Sequence, residues 1–486
     1  MDAMSAGEAA PGTRADRRLR AALPMGHKCG IFAAFGHPDA VAATWFGLLA
    51  LQHRGQESAG IAVGDGVTVH VRRGMGLIAE ALHEGDLQAL SAARPVAAIG
   101  HVRYSTTGKS ELENAQPLRF QYRQGTVAVA HNGNFTNALM LRFECEAQGS
   151  IFKTGTDTEI VPHLMARSAE ATMRGALLDA LAQARGAYAL GVLGPDRLWL
   201  CRDPDGIRPL TLGRVGDAWV AASETCALDA VGARVVRDVR PGEVVELSAD
   251  GVETVALRPA GESHLCLFEY VYLARPDSDL QGRNVHLVRK EMGRRLARQA
   301  PVAADVVIGV PDSGISAAVG YAEETGIAYE LGLIKNRYVG RTFIQPTQAL
   351  REAAVRNKLN AVSAVLSGKR VVLVEDSVVR GTTARFLVGL VRHAGASEVH
   401  LRVASPPFLN PCYYGIDIPS RRDLLAPGRS PEQMAALVGA ESLAFLDEAA
   451  AVGAAGGGGF CTACFSGVYP VPPVDRVPEP ALHTGD

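Results

Sequence analysis

The second half of the chain alternates apolar, strand-like runs with helical segments, and this alternation constrains the fold more than any other feature. The run ADVVIGV (304–310) is followed by a PDSG turn and a helical segment. The run RVVLVED (370–376) leads through a Gly-Thr loop to a helical segment around Phe386 to Val391, and VHLRVAS (399–405) follows it. Such alternation predicts a parallel sheet with right-handed crossovers. Ligands of these sheets bind beyond the carboxyl ends of the strands, where both loops would lie.

The first half has a different pattern, which predicts an α+β domain. An apolar run, GIFAAF (30–35), reads as a buried strand with helical spacing behind it, and a helix is expected after TGTDTE (154–159). Further strands are expected within 60–74, 96–106, 125–135, 187–203 and 218–224. A boundary is expected near Pro259, in RPAGESH. The low-complexity stretch EAAAVGAAGGGG (448–459) predicts a mobile linker.

Composition favours a cytoplasmic enzyme of two or three domains. The chain has 486 residues, 47% of them hydrophobic, and a net charge of -2 that offers no overall attraction to nucleic acid or anionic membrane. No stretch reaches the roughly 20 apolar residues of a membrane span. The leader, residues 1–28, lacks the apolar core of a secretion signal. Eight cysteines are too sparse for a disulfide scaffold, so reduced thiols, a metal or catalysis remain.

The stretch VVLVEDSVVRGTT (371–383) combines a strand, two acids and a hydroxyl-rich helix start. Backbone N–H groups and hydroxyls at a helix N-terminus favour a phosphate. Glu375 and Asp376 would repel one, so sugar hydroxyls or a metal are their expected partners. The pattern resembles the phosphoribosyl pyrophosphate loop of type I phosphoribosyltransferases, although Glu375 stands where the nearest relatives usually have aspartate.

This resemblance implies roles for two loops. Glu375 and Asp376 would face the ribose, and the 5′-phosphate cradle would run from Ser377 through Arg380, Gly381 and Thr382 to Thr383. The PDSG turn would place Asp312, Ser313 and Gly314 against pyrophosphate, with Ser313, Glu375 and Asp376 holding Mg²⁺. Between the loops, KNRYVGRTFIQPTQALRE (335–352) is expected to be a lid, with Lys335 and Arg341 as its cations.

Cys29 is the most conspicuous thiol, because it stands directly before the first apolar strand. A lone cysteine there could be a small buried residue, and the leader could be a disordered tail. A nucleophilic thiol, however, needs a base, and a free α-amine with a pKa of about 8 can act as one whereas a peptide nitrogen cannot. Cleavage after Lys28 would create that amine, so residues 1–28 are interpreted as a propeptide.

Four strings downstream of Cys29 resemble, in order and spacing, the N-terminal-nucleophile glutamine amidotransferases: LQHRGQES (51–58), HVRYSTTG (101–108), HNGN (131–134) and GTDTE (155–159). The resemblance implies an αββα sandwich in which Arg103, Thr106 and Asp157 hold the carboxylate and amine of glutamine. Asn132 and the Gly133 N–H would form the oxyanion hole. Arg54 would be a supporting glutamine-site residue.

The two modules in one chain resemble the glutamine phosphoribosylpyrophosphate amidotransferase family, which opens purine synthesis. The implied domains are 1–28 (propeptide), 29–260 (amidotransferase), 261–470 (an α/β phosphoribosyltransferase with a cluster-binding segment) and 471–486 (tail). Ammonia released from glutamine at Cys29 would travel inside the protein to C1 of phosphoribosyl pyrophosphate. The family also implies a homotetramer inhibited by AMP and GMP.

A second group of cysteines includes a C-x-x-C pair, Cys461 and Cys464, which alone could be a redox dithiol, half of a zinc site or chance. Cys266 and Cys412 lie far away in sequence, so a four-thiolate site would tie the C-terminal segment to the transferase domain. These positions match the iron–sulfur branch of the family, which implies a structural [4Fe–4S] cluster, with zinc as the alternative. Cys145, Cys201 and Cys226 are expected to be ordinary buried thiols.

Two rival functions make different predictions. A transcriptional sensor of phosphoribosyl pyrophosphate would need a DNA-reading element, and the sequence has neither a basic stripe nor a helix-turn-helix pattern. An amidotransferase that makes an amino sugar or asparagine would not need the loop at 371–383. Both rivals predict no pyrophosphate release from glutamine, Mg²⁺ and phosphoribosyl pyrophosphate.

Overall fold

A computed structural model describes residues 27–105, 111–257, 263–336, 359–418 and 420–474. The predictions made for residues 1–26, Thr106, Arg341 and the tail beyond 474 fall outside the described residues. We call residues 27–257 the sandwich and residues 263–474 the parallel-sheet half.

The sandwich contains two antiparallel sheets. One has the order β11-β9-β10-β1-β4-β2-β3 and the other β13-β12-β8-β7-β6-β5. The strands are β1 (His27–Phe35), β2 (Ser58–Gly64), β3 (Val69–Met75), β4 (Ala97–Ser105), β5 (Leu118–Tyr122), β6 (Gly125–Phe135), β7 (Gly186–Leu193), β8 (Leu198–Arg202), β9 (Thr211–Val215), β10 (Ala218–Ala222), β11 (Arg234–Asp238), β12 (Glu243–Ser248) and β13 (Gly251–Leu257).

Helices cover the outer faces of both sheets, which confirms the expected αββα sandwich. Alternate residues of β1 and β4, such as Ile31 and Ile99, pack against Ala128 and Leu200 of the second sheet. Their neighbours, such as Phe32, point outward to the first helical layer. The helices are α1 (Ala40–Ala50), α2 (Ile78–Ala81), α3 (Glu84–Ala92), α4 (Ala138–Ala147), α5 (Ile160–Arg167), α6 (Met173–Gln183) and α7 (Thr225–Asp229), with 3₁₀ turns at Leu112–Asn114 and Asp157–Glu159.

The parallel-sheet half is built on four parallel strands in the order β17-β20-β21-β22, as the alternation of strands and helices predicts. Its strands are β14 (Leu265–Cys266), β15 (Asp279–Leu280), β16 (Arg283–Asn284), β17 (Val306–Gly309), β18 (Leu333–Lys335), β19 (Leu359–Ala361), β20 (Arg370–Glu375), β21 (Glu398–Val403), β22 (Ser442–Phe445) and β23 (Phe460–Cys461). Its helices are α8 (Val285–Gln299), α9 (Gly314–Thr325), α10 (Ser363–Leu366), α11 (Thr382–His393), α12 (Pro431–Val438), α13 (Glu448–Ala454) and α14 (Ala463–Ser466), with a π-helical turn at Glu269–Leu273 and a 3₁₀ turn at Arg421–Asp423.

Both faces of the parallel sheet are covered. Val307 and Val372 point toward α8 and α9, whereas Ile308 and Leu373 point toward α11. This two-sided burial explains why the central strands read as continuous apolar runs.

The prediction of a mobile linker at 448–459 is wrong. Residues Glu448–Ala454 form α13, and Ala451 is fully buried in the core that includes α8. Alanine has the highest helix propensity, and its small side chain lets helices approach closely, so an alanine-rich stretch is a packed helix here.

Across the described ranges, no helix is both long enough and apolar enough to cross a bilayer.

Candidate active site

Cys29 lies in the centre of the first sheet, beside β4. It is opposite Arg103, and Arg103 is opposite Ser58 of β2 on its other side. Directly opposite residues of antiparallel strands share a face, so these three side chains form a row. All three are buried, and the Ser58 Oγ has no hydrogen-bond partner among the described residues.

Burial keeps the Cys29 thiol protonated. Removal from solvent raises the pKa of Cys29 to about 12, although Arg103 and a hydrogen bond with the Tyr104 backbone act in the opposite direction. A thiol with this pKa is not a thiolate at neutral pH, so it needs a proton acceptor beside it before it can attack.

Asn132 and Gly133 lie at the end of β6, in the second sheet. Gly133 has φ of +149°, and a Cβ there would lie 2.0 Å from the Ala187 carbonyl oxygen, so only glycine fits. Asn132 is buried, and its Nδ2 has no hydrogen-bond partner within the described part of the chain. A buried amide donor without a partner costs free energy, which a negatively charged ligand oxygen would recover.

Arg103 and Asp157 are the described members of the expected glutamine-binding set. The Arg103 Nη1 lies 2.5 Å from the Glu57 Oε1, while its Nε has no partner among residues that the structure describes. Asp157 is buried and accepts a hydrogen bond of 2.9 Å from the Phe135 backbone N–H. Asp157 also lies 3.6 Å from the His131 Nδ1 through its Oδ1.

Arg54 lies at the boundary between the two halves of the chain. Its guanidinium donates to Glu224 of the sandwich and to Glu269 of the parallel-sheet half. Arg208 also donates to Glu269, with 3.2 Å between Nη1 and Oε1. Two buried arginines therefore balance two buried glutamates. A Cβ on Gly30, the residue after Cys29, would lie 3.3 Å from the Arg54 Cδ, so Arg54 packs next to the start of β1.

The two loops expected to bind phosphoribosyl pyrophosphate follow β17 and β20, which are adjacent strands. The Ser313 hydroxyl donates to Asp376, and the Ser377 hydroxyl donates to the other oxygen of the same carboxylate. Gly314 begins α9, where a Cβ would lie 2.8 Å from the Val374 carbonyl oxygen. The structure thus brings the PDSG turn and the 375–383 loop together.

Glu375 and Asp376 occupy different environments although they are neighbours. Burial, followed by the negative charge of Asp376, raises the pKa of Glu375 well above its ordinary value. The Glu375 Oε2 is buried and has no hydrogen-bond partner in the described ranges. An unpaired buried carboxylate oxygen beside a second carboxylate suits a hard divalent cation or a sugar hydroxyl.

The phosphate-cradle loop faces solvent at the start of α11. Gly381 precedes the helix with φ of +79°, and Arg380, Thr382 and Thr383 are exposed. Lys335, from the expected lid, contacts Asp312 through its Nζ. The other lid cation, Arg341, is outside the described residues.

The four expected cluster ligands gather where the C-terminal segment meets the rest of the parallel-sheet half. Cys266 of β14 is the backbone register partner of Cys461 of β23. Cys464 lies close enough to the other three thiols for their charges to raise its pKa. Burial raises the pKa of all four thiols, and neighbouring thiols of the group raise it further for Cys266, Cys461 and Cys464. Within the described ranges, no group of three or more Cys, His, Asp or Glu side chains is arranged to hold a metal ion.

The remaining cysteines are buried, Cys145 in α4, Cys201 in β8 and Cys226 in α7.

The sequence does not single out the acidic partners Glu57, Glu224 and Glu269, nor the buried Ser58 opposite Arg103. Glu57 and Ser58 belong to the LQHRGQES string that drew attention to Arg54. Glu269 is the single acid in the apolar run LCLFEYVYL, and a lone acid in such a run predicts a buried cationic partner. Glu224 carries no comparable signal in the sequence.

Comparison with known proteins shows which proteins this chain is similar to. A family model for a glutamine amidotransferase domain matches residues 101–230. The amidophosphoribosyltransferase of Bacillus subtilis strain 168 is 48% identical over 453 residues, which cover 92% of this chain and 94% of that protein. The amidophosphoribosyltransferase of Mycobacterium bovis is 48% identical over 462 residues, covering 91% and 86% respectively.

Two solved structures are similar over almost the whole chain. One is the glutamine phosphoribosylpyrophosphate amidotransferase of B. subtilis in complex with ADP and GMP, with 48% identity, a TM-score of 0.86, and coverage of 91% of this chain and 98% of that one. The other is described as the allosteric regulatory enzyme of purine biosynthesis, with 48% identity, a TM-score of 0.87, and coverage of 92% and 97%.

Proposed function

The chain belongs to the amidophosphoribosyltransferase family, and from this premise we propose which of its residues carry out each half of the reaction. The enzyme takes nitrogen from glutamine and transfers it to phosphoribosyl pyrophosphate, giving 5-phosphoribosylamine, pyrophosphate and glutamate, the first committed step of purine synthesis. We assign glutamine hydrolysis to residues 29–260 and transfer to residues 261–470, with 1–28 as a propeptide and 471–486 as a tail.

Glutamine hydrolysis begins at the Cys29 sulfur. Once the chain is cut after Lys28, the new α-amine takes the thiol proton, and the sulfur attacks the side-chain amide carbon of glutamine. The oxygen that becomes negative accepts hydrogen bonds from Asn132 Nδ2 and the Gly133 N–H. The amine then gives its proton to the departing ammonia, and water hydrolyses the thioester to glutamate.

Substrate orientation comes from charged groups around Cys29. Arg103, held by Glu57, binds the α-carboxylate of glutamine, while Asp157 binds its α-amine, with Thr106 beside Arg103. Arg54 stabilises the surrounding structure through Glu224 and Glu269 rather than by touching substrate.

Transfer takes place at the carboxyl ends of β17 and β20. Glu375 and Asp376 bind the ribose hydroxyls, and the loop from Ser377 through Arg380 to Gly381, Thr382 and Thr383 binds the 5′-phosphate. Asp312, Ser313 and Gly314 face pyrophosphate, and Lys335 and Arg341 cover it. Ser313, Glu375 and Asp376 would hold Mg²⁺, which when bound neutralises pyrophosphate charge.

Ammonia attacks C1 of the ribose and displaces pyrophosphate. Ammonia must reach this carbon without meeting bulk water, because water would protonate it and remove its lone pair. The contact between the two halves at Arg54 and Glu269 is buried, which keeps bulk water away from the boundary that ammonia would cross.

The four thiols of Cys266, Cys412, Cys461 and Cys464 would hold a [4Fe–4S] cluster that ties the C-terminal segment to the transferase. Support comes from the donor set, since burial raises the pKa of all four thiols and a buried thiolate needs a cation beside it. Zinc is the alternative occupant of the same four thiols.

Regulation and assembly are carried over from the relatives. The B. subtilis structure contains ADP and GMP, so we propose that purine nucleotides such as AMP and GMP inhibit this enzyme. We also propose a cytoplasmic homotetramer that binds neither nucleic acid nor membrane.

The observation that carries this assignment is that Cys29 is buried beside Arg103 in one sheet, while the buried Asn132 Nδ2 in the other sheet has no hydrogen-bond partner among the described residues. The test compares wild type with Cys29→Ala, and with Cys201→Ala as a buried-cysteine control. Cys29→Ala should lose glutamine-dependent synthesis and keep ammonia-dependent synthesis, while the control keeps both. The mass of the active wild-type protein should correspond to a first residue of Cys29. An active enzyme that retains residues 1–28, or a folded Cys29→Ala protein without ammonia-dependent activity, would overturn the assignment.

A further inference from the structure

A loop of the parallel-sheet half, residues 412–416, packs directly on the oxyanion strand of the sandwich. The Asn134 Nδ2 donates a hydrogen bond of 3.0 Å to the Tyr413 carbonyl oxygen. Gly415 has φ of +97°, and a Cβ there would lie 3.0 Å from the Gly133 carbonyl oxygen. The loop therefore touches the two residues that immediately follow Asn132.

The other side of the same strand is held by the sandwich. Gly133 pairs with Tyr188 of β7, and the Tyr188 N–H donates to Asp203 over 3.1 Å. Asp203 also accepts from the Arg208 N–H over 3.3 Å. Gly133 is thus confined between β7 and the 412–416 loop.

Arg208, a residue of the sandwich, also binds the 412–416 loop. Its Nε and Nη2 both donate to the Tyr414 carbonyl oxygen, the former over 3.2 Å, and its Nη1 donates to Glu269. Arg208 is almost completely buried. Consecutive carbonyls of the loop, those of Tyr413 and Tyr414, are therefore both held by sandwich side chains.

We propose that the 412–416 loop is the outer wall of the oxyanion hole, and that Asn134 is a positioning residue for glutamine hydrolysis. This inference rests on the proposed function of Asn132 and Gly133. Asn134 touches no reacting atom; it fixes the loop, and the loop contacts the Gly133 carbonyl, which the Gly133 Cα joins to the donor N–H. An oxyanion donor stabilises the transition state only when it is aimed in advance, so a small shift of Gly133 lowers kcat.

The test uses the full-length enzyme with Asn134→Ala, which removes the donor, and Asn134→Asp, which keeps the shape but puts an anion against the Tyr413 carbonyl. We expect kcat with glutamine to fall about 10-fold for Ala and up to about 100-fold for Asp. The KM for glutamine should stay within about twofold, since Arg103 and Asp157 are untouched. Asn137→Ala is the control within the sandwich, where it loses the amide bond to the Gln183 carbonyl and the bond accepted from the Arg185 N–H.

Two further measurements separate positioning from general damage. Ammonia-dependent synthesis should be unchanged, and so should the rate at which iodoacetamide alkylates Cys29, because that displacement forms no oxyanion. Unchanged kcat, equal loss in Asn137→Ala, or a parallel fall in alkylation or ammonia-dependent synthesis would overturn the proposal. If wild type itself shows no glutamine-dependent activity, the proposed function fails instead.

If an Asn134 variant does not fold, Gly415→Ala provides a second approach from the other side of the contact. Its methyl group would press on the Gly133 carbonyl, and the same selective loss of kcat with glutamine is expected. Full glutamine-dependent activity in a folded Gly415→Ala enzyme would contradict the proposed role of the 412–416 loop in positioning Gly133.

Discussion

Arg54 and Glu269 form an ion pair that is buried from solvent and joins the two halves of the chain, with 3.4 Å between Nη1 and Oε1 and a second contact between Nη2 and Oε2. Glu269→Ala would leave Arg54 and Arg208 with one carboxylate fewer in a site that water does not reach. We expect a loss of about 3–5 kcal/mol in the free energy of unfolding, measured from the urea midpoint.

The control for this prediction is Glu253→Ala. Glu253 is an exposed partner of Arg174 at 3.3 Å, and such surface pairs contribute about 1 kcal/mol or less. Similar losses in the two variants would show that the buried network does not join the halves energetically.

Stability should depend on pH through Glu243. Burial disfavours its charged form, but hydrogen bonds from Arg237, Thr254 and Arg240 outweigh burial and lower the pKa of Glu243 from 4.5 to about 2. Because the folded-state pKa is the lower one, this stabilisation is complete above about pH 4.5 and is lost as the pH falls toward 2. Urea unfolding between pH 2.5 and 6 measures how the free energy of unfolding changes with pH, and this change should be smaller for Glu243→Gln than for wild type. An identical pH dependence in the two proteins would refute the assignment.

Glu57→Gln should weaken glutamine binding. The substitution removes the charge that holds Arg103 at 2.5 Å, and a charge-assisted hydrogen bond contributes about 1.5–3 kcal/mol, equivalent to roughly 10- to 100-fold in KM for glutamine. Steady-state kinetics with glutamine and with ammonia separate the effects. A matching rise in KM for ammonia would point to a general structural defect.

Asp376→Asn should impair both activities equally, because each uses phosphoribosyl pyrophosphate. The Asp376→Asn side chain keeps the size of the carboxylate that Ser313 and Ser377 contact, but it loses the negative charge. We expect kcat/KM for phosphoribosyl pyrophosphate to fall roughly 10- to 100-fold. Asp305→Asn, at the opposite end of the sheet in an exposed pair with Arg370, should leave kinetics unchanged. Loss of only the glutamine-dependent activity would contradict the assignment.

Protein purified without oxygen should contain four irons and four acid-labile sulfides per chain if the cluster proposal is right. Cys464→Ser should lose them, while Cys201→Ala keeps them, since Cys201 is buried in β8 away from the group. One zinc per chain and no sulfide would instead support the alternative.

The sequence predicts the features that depend on residues close together along the chain. The strand before Glu375, the helix after Gly381 and the strand that begins the sandwich all follow from local period and turn chemistry. The pairing of Arg54 with Glu269 was not readable, because the residues are 215 positions apart and only the packed halves bring them together. Likewise, α13 was missed because an alanine–glycine composition describes both a linker and a tightly packed helix; burial against α8 decides between them.

The first strand begins before its nucleophile: His27 and Lys28 extend β1 and pair with Ser105 and Tyr104. Under the proposed cleavage, one cut therefore has two effects. It turns the Cys29 peptide nitrogen, which cannot act as a base, into an amine. It also removes His27 and Lys28, the two residues of β1 that pair with β4 next to Arg103. The backbone of Tyr104 and Ser105 would then lose its pairing with Lys28 and His27, and we expect the uncut precursor to be inactive toward glutamine.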